Sequence, residues 1–298
     1  MDQVTNNINT VVTQPGYDVS TQESKQALAT ALLKEEQADC PVYHRFGPGI
    51  YIREAHYKAG TLVVGHEHLH EHTNILLKGC ILVSDGANGT KELTAPYMFV
   101  AQPGSKVGYV LEDVVWQNIY ATTETDLEVL ERSLFASEDY FKKHLKLKAK
   151  ADKLLCEEDR NDYNQMLLET GWTEELIRKV SDYPDDKIPF PTGSYSVTPG
   201  ESNIQGRGLF ATAPFLEGMV VAPARLGSKR TPAGYLVNHA KNPNTKAVMN
   251  DNGDIYLVAT SNICGMKGGY LGDEITLDYR QIMKLNNLWN GEIQCQQQ

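Results

Sequence analysis

Between Cys40 and Thr122 the chain breaks into short alternating segments separated by Gly, Pro, Asn and Asp, a pattern that a packed helix cannot accommodate. Period-two alternation buries one face of a strand, and frequent turn residues fold strand back on strand, so this stretch reads as an all-β barrel or sandwich. The strands expected are Gly49 to Tyr57, Thr61 to Gly65, His72 to Leu77, Cys80 to Ser84, Glu92 to Ala95, Met98 to Ala101, Lys106 to Leu111 and Val114 to Ala121. Asp85-Gly86-Ala87-Asn88-Gly89 is a strong hairpin signal.

Inside that region Gly60, His66-Glu67-His68, His72 and Gly79 are spaced in a way that resembles the first motif of the cupins, small β-barrels. The resemblance implies a divalent metal held by His66 and His68, with His72 in the place of the family's glutamate. The second cupin motif is thinner: Pro103-Gly104 matches, but Val107, Gly108 and Tyr109 stand where its histidine belongs. On an extended strand His66, His68, His70 and His72 would all face one side, and imidazoles so placed suit zinc, iron or nickel. The bland alternative is a barrel that kept its shape and lost its metal. The run Gly108-Tyr109, Glu112-Asp113 and Trp116 also resembles cupin-like proteins encoded by bacteriophages.

Residues 126–182 turn helical in character. Leu127, Val129, Leu130 and Leu134 recur at helical spacing, Phe141 and Leu145 extend that face, and the basic stretch Lys142 to Lys153, with His144 in it, reads as surface. Asp162 to Glu169 is a second helix and Thr173 caps a third. This block is expected to connect two β-rich parts and to supply no chemistry.

Three pieces follow. Gly206-Arg207-Gly208 allows close approach of backbone to a ligand, Asn238-His239 precedes Pro243-Asn244, and Gly272-Asp273-Glu274-Ile275 leads to Tyr279. Buried, the polar side chains of the middle piece each require a partner. In this order the pieces resemble a SET domain, the fold of protein-lysine methyltransferases that use S-adenosylmethionine. That resemblance covers residues 188–288 and implies a donor site at Gly206, Arg207, Gly208, Asn238, His239 and Tyr279, with Tyr279 catalytic. Tyr235 and Trp289 would line the lysine channel, its wall completed by Ile282, Met283, Leu285 and Leu288. Ala240 and Asp273 depart from the family's serine and glutamate, and Cys264 to Leu271 lengthens one link.

The expected architecture is mainly β with a helical connector: a polar arm over 1–38, a cupin-like barrel over 39–125, the connector over 126–186, a SET-like domain over 187–289 and a polar tail over 290–298. Five scattered cysteines without a Cys-x-x-Cys argue against a disulfide framework. The net charge of -10 is concentrated in residues 1–186, which carry 18 basic and 30 acidic residues against ten and eight in the remainder. Neither part offers the basic surface that nucleic acid requires. No apolar run is long enough to span a membrane, so an intracellular protein is expected. Three functions stand open: a lysine methyltransferase acting on a protein substrate with an accessory barrel, a structural or assembly protein such as one of a phage virion, and a metal-dependent cupin enzyme. Exposed barrel edges leave a homo-oligomer open as well.

Overall fold

A computed structural model describes residues 19, 21–85, 89–136 and 157–289. The tip of the expected hairpin at 86–88, the residues Phe141, His144 and Leu145, the basic stretch 142–153 and the tail 290–298 lie outside the described residues. The chain is mainly β and divides into two compact units, residues 1–146 with 266–270 and residues 147–265 with 271–298.

The first unit contains strands β1 (Val42–Gly47), β2 (Ile50–Tyr57), β3 (Leu62–Val64), β4 (His72–Ser84), β5 (Thr90–Thr94), β6 (Tyr97–Ala101) and β7 (Val107–Ala121). They pair antiparallel in the order β5-β4-β7-β2-β1, with β6 also on β4 and β3 also on β7. Two long strands therefore carry the short ones. β7 pairs β3 through Val107 to Tyr109 and β2 through Val114 to Ala121, while β4 pairs β6 from His72 to Leu76 and β5 from Cys80 to Ser84.

Each long strand was expected as two. They are continuous because a bulge, not a turn, interrupts them: the β4–β7 register shifts between Leu76 and Ile81. Gly79 sits at this bulge with φ 85°, and a Cβ there would lie 2.3 Å from the Asp113 carbonyl oxygen. Strand β1 was not foreseen; it joins β2 through Pro48 and Gly49, the latter at φ 75°. Leu76, Ile81, Val83, Leu93, Val110 and Val114 form the apolar core at one end of the sheet's inner face.

The expected polar arm is folded over its described length. Thr21 and Ser24 form a capping box that starts the helix Gln22–Leu32, whose Leu28 packs with Val19 against Val107. Three apolar positions on one face were enough because a tertiary surface receives them. The helix Leu127–Leu134, capped by Asp126, buries Leu127, Leu130 and Leu134 within the same unit.

The second unit begins with a helix over 157–170 and the helix Glu174–Ser181. The helical connector is thus divided between the two units. After β8 (Gly193–Tyr195) come β9 (Val197–Glu201), β10 (Arg207–Ala211), β11 (Val220–Leu226), β12 (Lys229–Arg230), β13 (Asn238–His239), β14 (Thr245–Met249), β15 (Ile255–Ala259) and β16 (Glu274–Leu277). They make two four-stranded sheets, β13-β16-β10-β9 and β12-β11-β15-β14. Leu209, Ile255, Leu257, Ile263 and Ile275 are almost completely buried in this unit. Among the described residues no helix is long and apolar enough to cross a membrane.

Gly79 and Gly60 separate two costs of adding a side chain. Both have φ 85°, but nothing lies within 4 Å of a Cβ at Gly60. Gly60→Ala is expected to lose only the backbone preference, roughly 1–2 kcal/mol, whereas Gly79→Ala adds a clash with backbone and should lose roughly 3 kcal/mol or more. Urea unfolding of the two variants beside the wild type measures the difference.

Candidate functional site

In the second unit the chain brings two remote segments into register. Asn238 and His239 pair in parallel with Thr276 and Leu277 at the edge of β16, and the helix Tyr279–Leu285 starts two residues later. A two-residue strand would leave much of that edge unpaired, and Asn244 completes it: its side chain accepts from Thr276 N at 2.9 Å and donates to the Glu274 carbonyl at 2.8 Å. One amide side chain thus stands in for a residue of backbone ladder.

The Asn238 amide nitrogen, both ring nitrogens of His239 and the Asn244 side chain all find partners. The Asn238 amide nitrogen lies 2.7 Å from Glu274 Oε1, 2.9 Å from Ser202 Oγ, 3.1 Å from the Gln205 carbonyl and 3.2 Å from the Arg207 carbonyl. Gly208 admits the Glu274 carboxylate, since a Cβ there would stand 2.3 Å from Glu274 Oε1. Gly206, at φ 55°, turns the loop that presents these carbonyls. Glu274 also accepts from Ser202 Oγ at 2.8 and 2.9 Å. Its hydrogen-bond donors are neutral, and burial pushes the carboxyl above its ordinary value, with Asp159 adding to the effect.

His239 is buried. Its Nδ1 accepts from Tyr279 N at 3.2 Å, so the ring proton sits on Nε2 and donates to Asp162 Oδ2 at 2.9 Å. Asp162 receives Arg280 Nη1 on the same oxygen at 2.8 Å, and Arg280 Nε reaches Glu169 at 2.7 Å. Burial opposes ionisation of Asp162, but the Arg280 and His239 hydrogen bonds prevail and hold it below its ordinary value. Asp162 and Glu169 lie seven residues apart on one helix, so a single face meets Arg280. The 126–186 block, expected as a connector without chemistry of its own, supplies the carboxylates that hold His239 and Arg280 in place. Carboxylates a heptad apart carry a faint sequence signal, but it does not say which arginine answers them.

Tyr279 places its hydroxyl 3.0 Å from the Val237 carbonyl and its ring 5.3 Å from that of His239. Burial raises the phenol, which therefore stays protonated at neutral pH and donates to that carbonyl. Its ring retains some accessible surface beside Met166, Met283, Trp289 and Tyr163. Of the expected channel residues, Trp289 and Met283 join this cluster, whereas Leu288 is exposed and Tyr235 carries Lys187 over its ring at 5.1 Å.

The histidines of the first unit are arranged otherwise than expected. Between Val64 and His72 the chain is not a continuous strand, keeping only bridges from His68 to Gly104 and Phe135, so the alternation that would align all four does not apply. His66 packs on Phe135 with ring centroids 5.2 Å apart, and the exposed His70 points to the Ser133 carbonyl at 3.0 Å. His68 and His72 stack face to face at 4.0 Å, an arrangement in which the in-plane lone pairs run side by side instead of converging on an ion. Burial pushes His68 down to about 2, and His72 is lowered for the same reason. Among the described residues no three of His, Cys, Asp and Glu stand where they would hold a metal ion. His66, His68 and His72 do not fit the metal that the resemblance implied.

No family model and no curated protein matches the chain. Among solved structures it is similar to a cupin-2 domain protein from Shewanella frigidimarina, at 12% identity over 26% of this chain and 74% of that one, TM-score 0.22. It is similar also to the cupin domain of Cnp3 from Schizosaccharomyces pombe, at 17% identity over 33% of this chain and 73% of that one, TM-score 0.25. A third is ectoine synthase from P. lautus, at 14% identity over 34% of this chain and 79% of that one, TM-score 0.27. These likenesses concern the path of the chain over about a third of its length and bring no chemistry with them.

The Asp162 network has a pH signature. A carboxyl depressed in the folded state stabilises the fold above its ordinary range, and that contribution is lost as the pH falls through the folded value. Asp162→Asn is expected to lower stability by roughly 1–3 kcal/mol at pH 7. The variant and the wild type should begin to approach one another as the pH falls past the ordinary aspartate value of about 4 and converge only beneath the lower folded value of Asp162, a trend that thermal unfolding from about pH 8 down to about pH 2 would follow.

Proposed function

We propose that the second unit is a SET-type N-methyltransferase that moves a methyl group from S-adenosylmethionine to a lysine of a protein substrate, with the first unit as its accessory domain. The observation that supports this reading most is the meeting of Asn238-His239 with the Glu274–Tyr279 segment, 36 residues further along the chain. Such a reaction needs alignment more than covalent help: the sulfonium methyl and the amine nitrogen must lie in line, in a space with little water.

The chain's own residues suit that task in distinct ways. The turn through Gly206, Arg207 and Gly208 brings the Gln205 and Arg207 carbonyls to the Asn238 amide, so the donor-side loop is braced before any ligand arrives. Glu274, a largely enclosed carboxylate whose hydrogen-bond partners are Ser202 and Asn238, favours a cation over a neutral guest. S-adenosylmethionine supplies two cationic centres, its sulfonium and its ammonium. Tyr279 commits its proton to Val237, which turns the oxygen lone pairs of the phenol toward the reacting amine. Trp289, Met283 and Met166 keep that end of the space apolar, a medium that favours the uncharged form of a lysine amine. Tyr235 would act at the outer end, beside Lys187.

One observation favours a second reading. The Asn238 amide nitrogen, His239 and Asn244 are engaged within the fold, as they would be in a rigid module of an assembly that binds no donor.

Calorimetry with S-adenosylmethionine on the full chain separates the two. The methyltransferase reading expects saturable binding that Asn238→Ala weakens by at least tenfold. It also expects Tyr279→Phe to keep the donor affinity within about threefold while methyl incorporation into total cell protein falls on the order of a hundredfold. A wild-type protein that takes up neither S-adenosylmethionine nor S-adenosylhomocysteine, and elutes as a large assembly, would establish the second reading.

A further inference from the structure

The antiparallel registers of the first unit stack one residue from each of five strands into rows on the inner face of the sheet. The row Val42, Ala55, Trp116, Leu76 and Tyr97 is apolar and continuous with the core. Two residues along, the row is His44, Arg53, Asn118, Asn74 and Phe99. Two residues further, Phe46, Tyr51 and Tyr120 stand side by side, with ring centroids 5.5 and 5.9 Å apart. A band rich in nitrogen donors therefore crosses the interior between an apolar row and an aromatic one.

That band is not satisfied by the chain. Trp116 Nε1 donates to Asn74 Oδ1 at 2.9 Å, and because an indole nitrogen can only donate, the orientation of the Asn74 amide is fixed. Asn118 Nδ2 donates to the same oxygen at 2.6 Å. Asn74 Nδ2 is left without a partner although the residue is only 2% exposed, and His44 Nε2, in the same row and 3% exposed, has none either. Leaving a buried donor unpaired is unfavourable.

Arg53 stands between them in register. The Tyr57 phenol is its hydrogen-bonding neighbour, and the other ionisable groups that face it are the Tyr51 and Tyr120 phenols, the Cys40 thiol and the His44 and His68 imidazoles. Burial pushes the three phenols and the thiol up and the two imidazoles down, so each is neutral at neutral pH. The acid felt in this neighbourhood, Glu131, acts on Tyr51, and among the described residues Arg53 forms no ion pair with a carboxylate. Arg53 is surrounded by these groups yet is only half-buried. An enclosed guanidinium without a counter-charge is unfavourable, and an acceptor-rich anion corrects both the charge and the open donors.

We propose that the interior of the first unit is a binding site for a small organic carboxylate, received by the Arg53 guanidinium and the Asn74 amide against the Tyr51 and Tyr120 rings. Planar oxygens match the guanidinium fork, and the aromatic row suits the apolar body of such a molecule. The site is separate from the donor site of the second unit and does not rest on that reading.

Calorimetric titration of the full chain with sodium acetate and sodium benzoate, against acetamide and benzamide at equal ionic strength, tests the proposal. The expected result is saturable binding of at least one carboxylate, at least tenfold tighter than its amide. Arg53→Met should abolish it. Asn74→Asp, which places a carboxylate in the same row as Arg53, two strands away, should also abolish it while raising the Tm of the ligand-free protein, so its loss of binding cannot be put down to unfolding. Absence of saturable binding to the wild type, equal affinity for carboxylate and amide, or undiminished binding by Arg53→Met would each overturn the proposal. S-adenosylmethionine binding, measured on the same samples, should be unchanged by either substitution.

Discussion

The parallel pairing of Asn238-His239 with Thr276-Leu277 is held by very little backbone, and the second unit depends on how side chains compensate. Two residues of parallel strand form too few ladder bonds to fix a loop. Asn244 extends the ladder with its amide, His239 ties the start of the helix Tyr279–Leu285 to Asp162, and Arg280 anchors Asp162 and Glu169 of the 157–170 helix. His239, Asp162, Arg280 and Glu169 are bonded in a chain, so removing one leaves its neighbour unmatched, which makes that network cooperative. The position of Tyr279 follows from it, because the backbone nitrogen of Tyr279 is itself one of the bonded groups.

The first unit reverses that economy. Its strands are long and well paired, its apolar core is continuous, and the fold does not need the polar row to hold together. His44, Arg53 and Asn74 are costs carried inside a structure stable enough to bear them. Groups of this kind persist where something outside the chain completes them, whereas the polar groups around His239 are completed by the chain itself. The contrast between an interior left open and a loop junction closed on itself separates the two units chemically.

Much of the β framework was legible because alternation and turn residues act locally. The errors have physical causes. Lys78-Gly79 reads as a turn, but Gly79 lies against the Asp113 carbonyl in a bulge, a contact formed by a residue 34 positions away. His66 to His72 reads as a strand with four aligned imidazoles, but the chain is not a continuous strand there, and the stacked His68 and His72 cannot serve as convergent ligands. The helix Gln22–Leu32 reads as an arm because its apolar face is narrow, and only the presence of Val107 makes that face worth burying.

By itself the sequence determined the elements: which stretches alternate, where glycines allow a turn or a close approach, and that Asn238, His239 and Asn244 would need partners if buried. These follow from side-chain chemistry and from a periodicity that spans only a few residues. The partners were decided by the tertiary structure alone. Glu274 for Asn238, Asp162 for His239, and a row with no carboxylate for Arg53 are outcomes of register between segments tens of residues apart, and one shift of register would exchange every inward side chain for its neighbour.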